Sequence, residues 1–189
     1  MQEKVCAMNK VKLWDKTFVP FIKNQDLEEA IDRVAVKLNE DFANCEDVPV
    51  LLCTLNGAIL FCAELMKRLT FTCELASVKL KSYSGTTSTG MVTIQVPVTV
   101  PVAGRRVIIV EDIVDTGATI ATLRNYIQGQ GASEIRTCTM LFKPDVFDGE
   151  KLPEYIAMEI PSRFIVGFGL DYNEIGRNLQ EIYVLDENS

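Results

Sequence analysis

The sequence predicts an α/β fold, a mostly parallel twisted sheet flanked by helices with a small hood appended. Two observations carry this expectation. Short apolar, β-branched runs such as VPVLLCTL (Val48 to Leu55) and RVIIV (Arg106 to Val110) alternate with segments of helical periodicity. That alternation implies crossover units and parallel strands covered on both faces. No linker of biased composition and no internal repeat divides the 189 residues, so one domain spanning 1–189 is expected.

The elements follow in order. Leu27, Ile31, Val34, Leu38 and Phe42 recur at helical spacing behind an Asp26-Leu-Glu-Glu29 stretch that resembles a capping box, which predicts a helix over Asp26 to Phe42. Val48 to Leu55 reads as a buried strand, Asn56-Gly57 as its turn, and Ala58 to Arg68 as a helix. Cys73 to Tyr83 has strand character with Ala76, Val78 and Leu80 on one face. Ser84 to Met91 is rich in Ser, Thr and Gly and reads as a mobile loop. The stretch MVTIQVPVTV behind it could close a hairpin with the strand before. Arg106 to Val110 is a short strand, Ala118 to Gln128 a helix and Glu134 to Phe142 a strand. Tyr155 to Ile160, Phe164 to Gly169 and Glu181 to Leu185 supply the last strands.

Composition narrows the chemistry. The chain has 19 basic and 26 acidic residues, a net charge of −7, which disfavours an extended nucleic-acid interface. The apolar runs are far shorter than the roughly 20 residues a membrane helix needs. The N-terminal MQEKVCAMNKVKLWDK lacks the apolar core of a secretory signal, so a cytoplasmic location is expected. Six scattered cysteines form no C-x-x-C pair and there is no histidine, which argues for reduced core thiols and against a Cys/His zinc site or a histidine-based triad. Acid–base work falls to carboxylate, Lys or Tyr.

The stretch VIIVEDIVDTGAT, Val107 to Thr119, concentrates the chemistry. Small and hydroxyl residues between a buried strand and a helix commonly cradle a phosphate, through free N–H groups and the helix dipole. Yet this cradle opens with Glu111, Asp112 and Asp115. A ligand carrying hydroxyls beside its phosphate reconciles the two: Glu111 and Asp112 accept hydrogen bonds from a ribose while Asp115, Thr116, Gly117, Ala118 and Thr119 wrap a 5′-phosphate. A solvated acidic turn is the bland alternative. Asp115-Thr116-Gly117-Ala118 is also the tetrapeptide of retroviral-type aspartic proteases, but that family is all-β, whereas Ile120, Leu123 and Ile127 here keep helical spacing.

VIIVEDIVDTGAT resembles the phosphoribosyl-pyrophosphate motif of the type I phosphoribosyltransferases, in the form found in the hypoxanthine-guanine branch. Further matches arrive in order. Leu55-Asn56-Gly57 resembles the family's pyrophosphate-contacting turn, often preceded by a cis or strained peptide, and Leu80-Lys81-Ser82-Tyr83 resembles the start of its mobile catalytic loop. Phe142-Lys143, Phe164-Ile165-Val166-Gly167 and Leu170-Asp171-Tyr172-Asn173-Glu174 with Arg177 are similar to its purine and metal segments. The likeness runs from about Val48 to the last strand. Asn56 and Ala118 depart from it, standing where some relatives carry a basic residue, so pyrophosphate countercharge would rest more on magnesium and Arg177.

The resemblance implies transfer of a 5-phosphoribosyl group from phosphoribosyl pyrophosphate to N9 of a 6-oxopurine. Asp115 is the implied general base at purine N7, Lys143 the donor to O6, Phe164 the stacking partner and the Ile165 backbone an acceptor at the base edge. Asp171 is the implied protein ligand of Mg²⁺, with Glu111 and Asp112 approaching the metal through water or the ribose hydroxyls. Ser82 and Tyr83 would hinge a lid over pyrophosphate. The family resemblance further implies a homodimer or homotetramer acting on small molecules, without nucleic-acid or membrane partners. A non-catalytic nucleotide sensor or RNA-binding regulator on the same fold is the alternative; a basic face would mark the regulator, and the net charge disfavours one.

Overall fold

A computed structural model describes residues 9–82 and 92–187. Its main sheet has the strand order β5-β4-β3-β6-β7-β8, formed by β3 (Val50–Leu55), β4 (Glu74–Ser82), β5 (Val92–Val96), β6 (Arg106–Val114), β7 (Glu134–Phe142) and β8 (Tyr155–Glu159). Every pairing is parallel except β4 with β5, which run antiparallel with Ser82 opposite Val92. The hairpin expected there is present, while the loop it encloses lies outside the described residues.

Parallel strands are buried on both faces, and the side-chain alternation of β3 and β6 assigns each face its helices. Leu51, Cys53, Ile108 and Val110 pack with α1 (Asn24–Phe42) and α2 (Ile59–Met66). Val50, Leu52, Val107 and Ile109 pack with Ile120, Leu123 and Ile127 of α3 (Ala118–Gly129) on the opposite face. Burying a single side chain of this kind contributes about 1.5–3 kcal/mol, so the two apolar layers hold β3 and β6 firmly in place. Among the described residues no helix is long and apolar enough to cross a membrane, and Cys45, Cys53, Cys62, Cys73 and Cys138 are free thiols.

The hood is a second sheet, β1-β2-β10-β9, from β1 (Val11–Leu13), β2 (Lys16–Ile22), β9 (Ile165–Val166) and β10 (Ile182–Leu185). Its strands come from the first and the last parts of the described residues. The first two strands escape a sequence reading because Pro20 interrupts KTFVPFI. Among the described residues β1 faces only Lys16 to Phe18 and leaves the rest of that edge of β2 unpaired, and opposite Pro20 the β10 pairing shifts register between Ile182 and Tyr183. A residue without an N–H is tolerated at such a place.

Three boundaries differ from expectation for physical reasons. The first helix begins at Asn24, with Lys23 as its cap and no side-chain capping bond. Asp26 lies inside the first turn, and Glu29 accepts from Gln25, so there is no capping box. β6 continues to Val114 because its pairing with β7 runs on from Glu111 opposite Thr139 to Val114 opposite Phe142. Glu111 and Asp112 are therefore strand residues, beyond the Val110 at which the strand was expected to end. Of Phe164 to Gly169 only two residues are strand, since Gly167 turns the chain with φ +100°.

Candidate functional site

The carboxyl ends of β3, β6 and β7 meet at one edge of the main sheet, the place where open α/β sheets bind ligands. After β6 the chain turns through Asp115 to Gly117 into α3. Gly117 has φ +90°, and a Cβ there would press on Phe147 and the backbone of Gly149, so only glycine suits the position. Residues Glu111 to Ile120 line a concavity of about 200 Å³. The first N–H groups of α3 have no partner within the helix, an arrangement that favours an anion.

After β3 comes a second turn. The Leu55–Asn56 peptide is cis. A Cβ on Gly57 would overlap the Asp112 carboxylate, and one on Gly169 would overlap the Gly57 carbonyl, so these glycines let the β3 turn, β6 and the segment before Asp171 close on one another. Thr54, Asn56, Gly57, Glu111, Asp112, Thr119, Asp171 and Arg177 thereby line a common cleft of about 270 Å³. It adjoins the cradle, sharing Glu111, Asp112 and Thr119 with it.

Electrostatics mark this cleft. Burial pushes the Glu111 carboxyl well above its ordinary value, and repulsion from Asp112 adds to it. Asp112 rises to about 6, chiefly through burial. The Ile113 N–H, 2.9 Å from Asp112 Oδ1, and the Arg177 charge pull it down, while Asp171 pushes it up. Arg177 pairs with Asp171 at 2.7 Å and donates to the Gly169 carbonyl at 2.9 Å. Asp171 Oδ2 also accepts the Glu174 N–H at 2.8 Å, which fixes the carboxylate at the head of a tight turn.

Lys143, at the end of β7, is buried, and its ammonium stands 3.1 Å from Asp115 Oδ2. The Lys143 N–H donates to the Val114 carbonyl, which holds the two strand ends side by side. Phe164 is 45% exposed, and its ring meets Tyr172 edge-on at 5.8 Å and Phe18 at 5.9 Å. Two further rings thus back an exposed aromatic side chain.

Residues 21–173 match the family model described as a phosphoribosyl transferase domain. The chain belongs to the phosphoribosyltransferase family. It is 37% identical over 167 residues to the hypoxanthine-guanine phosphoribosyltransferase of Streptococcus pneumoniae, covering 88% of this chain and 92% of that one. With the hypoxanthine-guanine-xanthine phosphoribosyltransferase of Tritrichomonas foetus it shares 35% over 164 residues, 86% and 88% of the two chains. Among solved structures, a hypoxanthine phosphoribosyltransferase of Staphylococcus aureus superposes with TM-score 0.83 at 28% identity, covering 89% of this chain and 91% of that one.

Against the phosphoribosyltransferase expectation, the structure gathers Asn56, Gly57, Glu111, Asp112, Thr119, Asp171 and Arg177 in the cleft and Asp115 to Ala118 in the adjoining cradle, with Lys143 joined through Asp115. Phe164 and Ile165 stand in the hood, Ile165 paired with Val184. Tyr83 lies outside the described residues, as does the side chain of Ser82, so the lid hinge is not among the features seen. Sequence reasoning missed Thr54, a hydroxyl at the cleft end of an otherwise apolar strand. It also missed the bond from the Tyr172 hydroxyl to Asp15 Oδ1, 2.8 Å. The lone Thr in VPVLLCTL was a usable signal; nothing local pointed to Asp15.

Proposed function

We propose that this chain, with residues 1–189 acting as one domain, transfers the 5-phosphoribosyl group of phosphoribosyl pyrophosphate to N9 of hypoxanthine or guanine. The products are the nucleoside monophosphate and pyrophosphate. The observation that carries the reading is the Lys143–Asp115 pair beside a ribose-phosphate cleft. A 6-oxopurine with its proton on N7 presents an acceptor, O6, next to a donor, N7–H. An ammonium beside a carboxylate is the complement of that edge. Adenine offers an amine where Lys143 needs an acceptor, which leaves a buried donor unpaired and costs affinity.

The roles follow from position. The N–H groups at the start of α3 hold the 5′-phosphate, and Glu111 and Asp112 accept from the ribose hydroxyls. Asp115 takes the N7 proton as N9 forms its bond to C1 and the bond from C1 to pyrophosphate breaks. Positive charge then grows on the ribose beside the carboxylates, while Arg177 and the Asn56-Gly57 turn face the departing pyrophosphate. Phe164 stacks on the base, and the Ile165 backbone reads its edge.

Among the described residues no three His, Cys, Asp or Glu side chains converge as a metal cage. The oxygen donors of the cleft still suit Mg²⁺, which uses one or two carboxylates and takes its other ligands from substrate phosphates and water. Asp171 would hold it, with Glu111 and Asp112 nearby; once bound, the ion neutralises charge on pyrophosphate. The working assembly in this reading is a homodimer or homotetramer in the cytoplasm, and light scattering of the purified chain tests the assembly.

Nucleotide formation from phosphoribosyl pyrophosphate is the decisive assay, run with hypoxanthine, guanine, xanthine and adenine in parallel, with and without magnesium. Magnesium-dependent product with a 6-oxopurine and none with adenine is the expected outcome. Absence of product with every base, despite binding of phosphoribosyl pyrophosphate, would overturn the reading in favour of a nucleotide sensor.

A further inference from the structure

β3 and β6 pair in parallel register up to Cys53 opposite Val110, so one residue further on Thr54 stands beside Glu111. Across the other edge of β6, Glu111 is opposite Thr139. Thr54, Glu111 and Thr139 therefore form a polar row on the α3 face of the sheet, and all three are buried. Thr139 is committed, its hydroxyl donating to the Leu141 carbonyl at 2.8 Å. Thr54 Oγ1 and Glu111 Oε2 are both buried without a hydrogen-bond partner among the described residues. Two adjacent unsatisfied groups, a hydroxyl that can donate and a carboxylate oxygen that can only accept, call for an explanation in a native core.

We infer that Thr54 is a positioning residue, its hydroxyl turning to Glu111 Oε2 when ligand enters and steadying that carboxylate for the ribose hydroxyls. The inference rests on the proposed function. The row leaves Thr54 as the free hydroxyl beside Glu111, because Thr139 is occupied. In the free protein the pair is left imperfectly satisfied, which costs stability; in the complex the missing bond is made. Binding energy for the ribose then depends on a side chain that does not itself touch the sugar, because a carboxylate held by one hydrogen bond loses less freedom when it accepts another.

Thr54→Val keeps the shape and removes the hydroxyl, whereas Thr54→Ser keeps the hydroxyl. The Val variant is expected to raise KM for phosphoribosyl pyrophosphate roughly tenfold, the scale of one hydrogen bond to a charged group. The KM for the purine should stay within about twofold. Its melting temperature should match or exceed wild type, since a buried unsatisfied polar atom is gone. The Ser variant should stay near wild type in both constants. A Val variant with wild-type KM overturns the inference, and so does equal impairment in Val and Ser, which would trace the loss to shape. The same comparison of phosphoribosyl pyrophosphate Kd by calorimetry needs no turnover. A chain that forms no nucleotide would thus refute the functional reading while the Kd gap still decides the role of Thr54.

Discussion

Asp115 and Lys143 are 28 positions apart and meet only because β6 and β7 end side by side. Each is expected to fail differently. Asp115→Asn keeps the size and loses the base, so phosphoribosyl pyrophosphate binding should survive while turnover falls about 10²–10⁴-fold, the range for lost general acid–base catalysis. Single-turnover kinetics check this, and unchanged turnover would remove Asp115 from its role. Lys143→Ala deletes the donor to O6, and discrimination between hypoxanthine and adenine should shrink. Were adenine still excluded and hypoxanthine kinetics unaltered, another group would be the reader of O6. Both residues were legible in the sequence as types at strand ends, but their ion pair was not, because spacing along the chain carries no information on which strands lie next to each other.

The hood shows the same limit in an element. Phe18 of β2 is fully buried and backs both Phe164 and Tyr172. Tyr172 is in turn bonded to Asp15, which lies just before β2. The exposed aromatic face of Phe164 is thus set by a strand more than 140 residues earlier. Phe18→Ala should cost about 3–5 kcal/mol of stability, as large aromatic deletions from a core do. It should also raise the KM for the purine more than that for phosphoribosyl pyrophosphate, whose proposed cleft is lined mainly by the ends of β3 and β6. Thermal unfolding and paired KM measurements test both parts; an equal rise in the two constants would show that the hood does not act on the base alone. Helix α1 and the strands β3, β6 and β7 were readable from periodicity. The first two strands were not, since Pro20 disguises a segment whose register shift against β10 only the assembled sheet reveals.

For the molecule as a whole, the site is a store of unfavourable charge. The Asp112 carboxyl lies at about 6 in the fold against an ordinary 3.8. Between those values the folded chain keeps a proton that the unfolded chain has released, so stability conferred by this group falls as pH rises through the window and the loss is complete above it. Asp112→Asn removes the charge. Its unligated melting temperature should exceed wild type at pH 7.5 by a gap that holds down to about pH 6 and narrows below it toward pH 4.5. A gap that does not change with pH would show that Asp112 is not the strained carboxylate. The same variant should bind phosphoribosyl pyrophosphate less well, the cost being shifted from stability to recognition.

Composition and local pattern determined a great deal by themselves: an α/β sheet, a chain without histidine, and a run of small and hydroxyl residues beside carboxylates after an apolar strand. These are properties of residue type and short-range period, and they survive without knowledge of neighbours. The tertiary structure alone decided that Glu111 and Asp112 lie within a strand, that Thr54 stands beside Glu111, that Lys143 holds Asp115 and that strands from residues 11–22 and 165–185 build one hood. Each of those depends on register between strands brought together by packing, and burying both faces of a parallel sheet is a cooperative outcome that no single segment encodes.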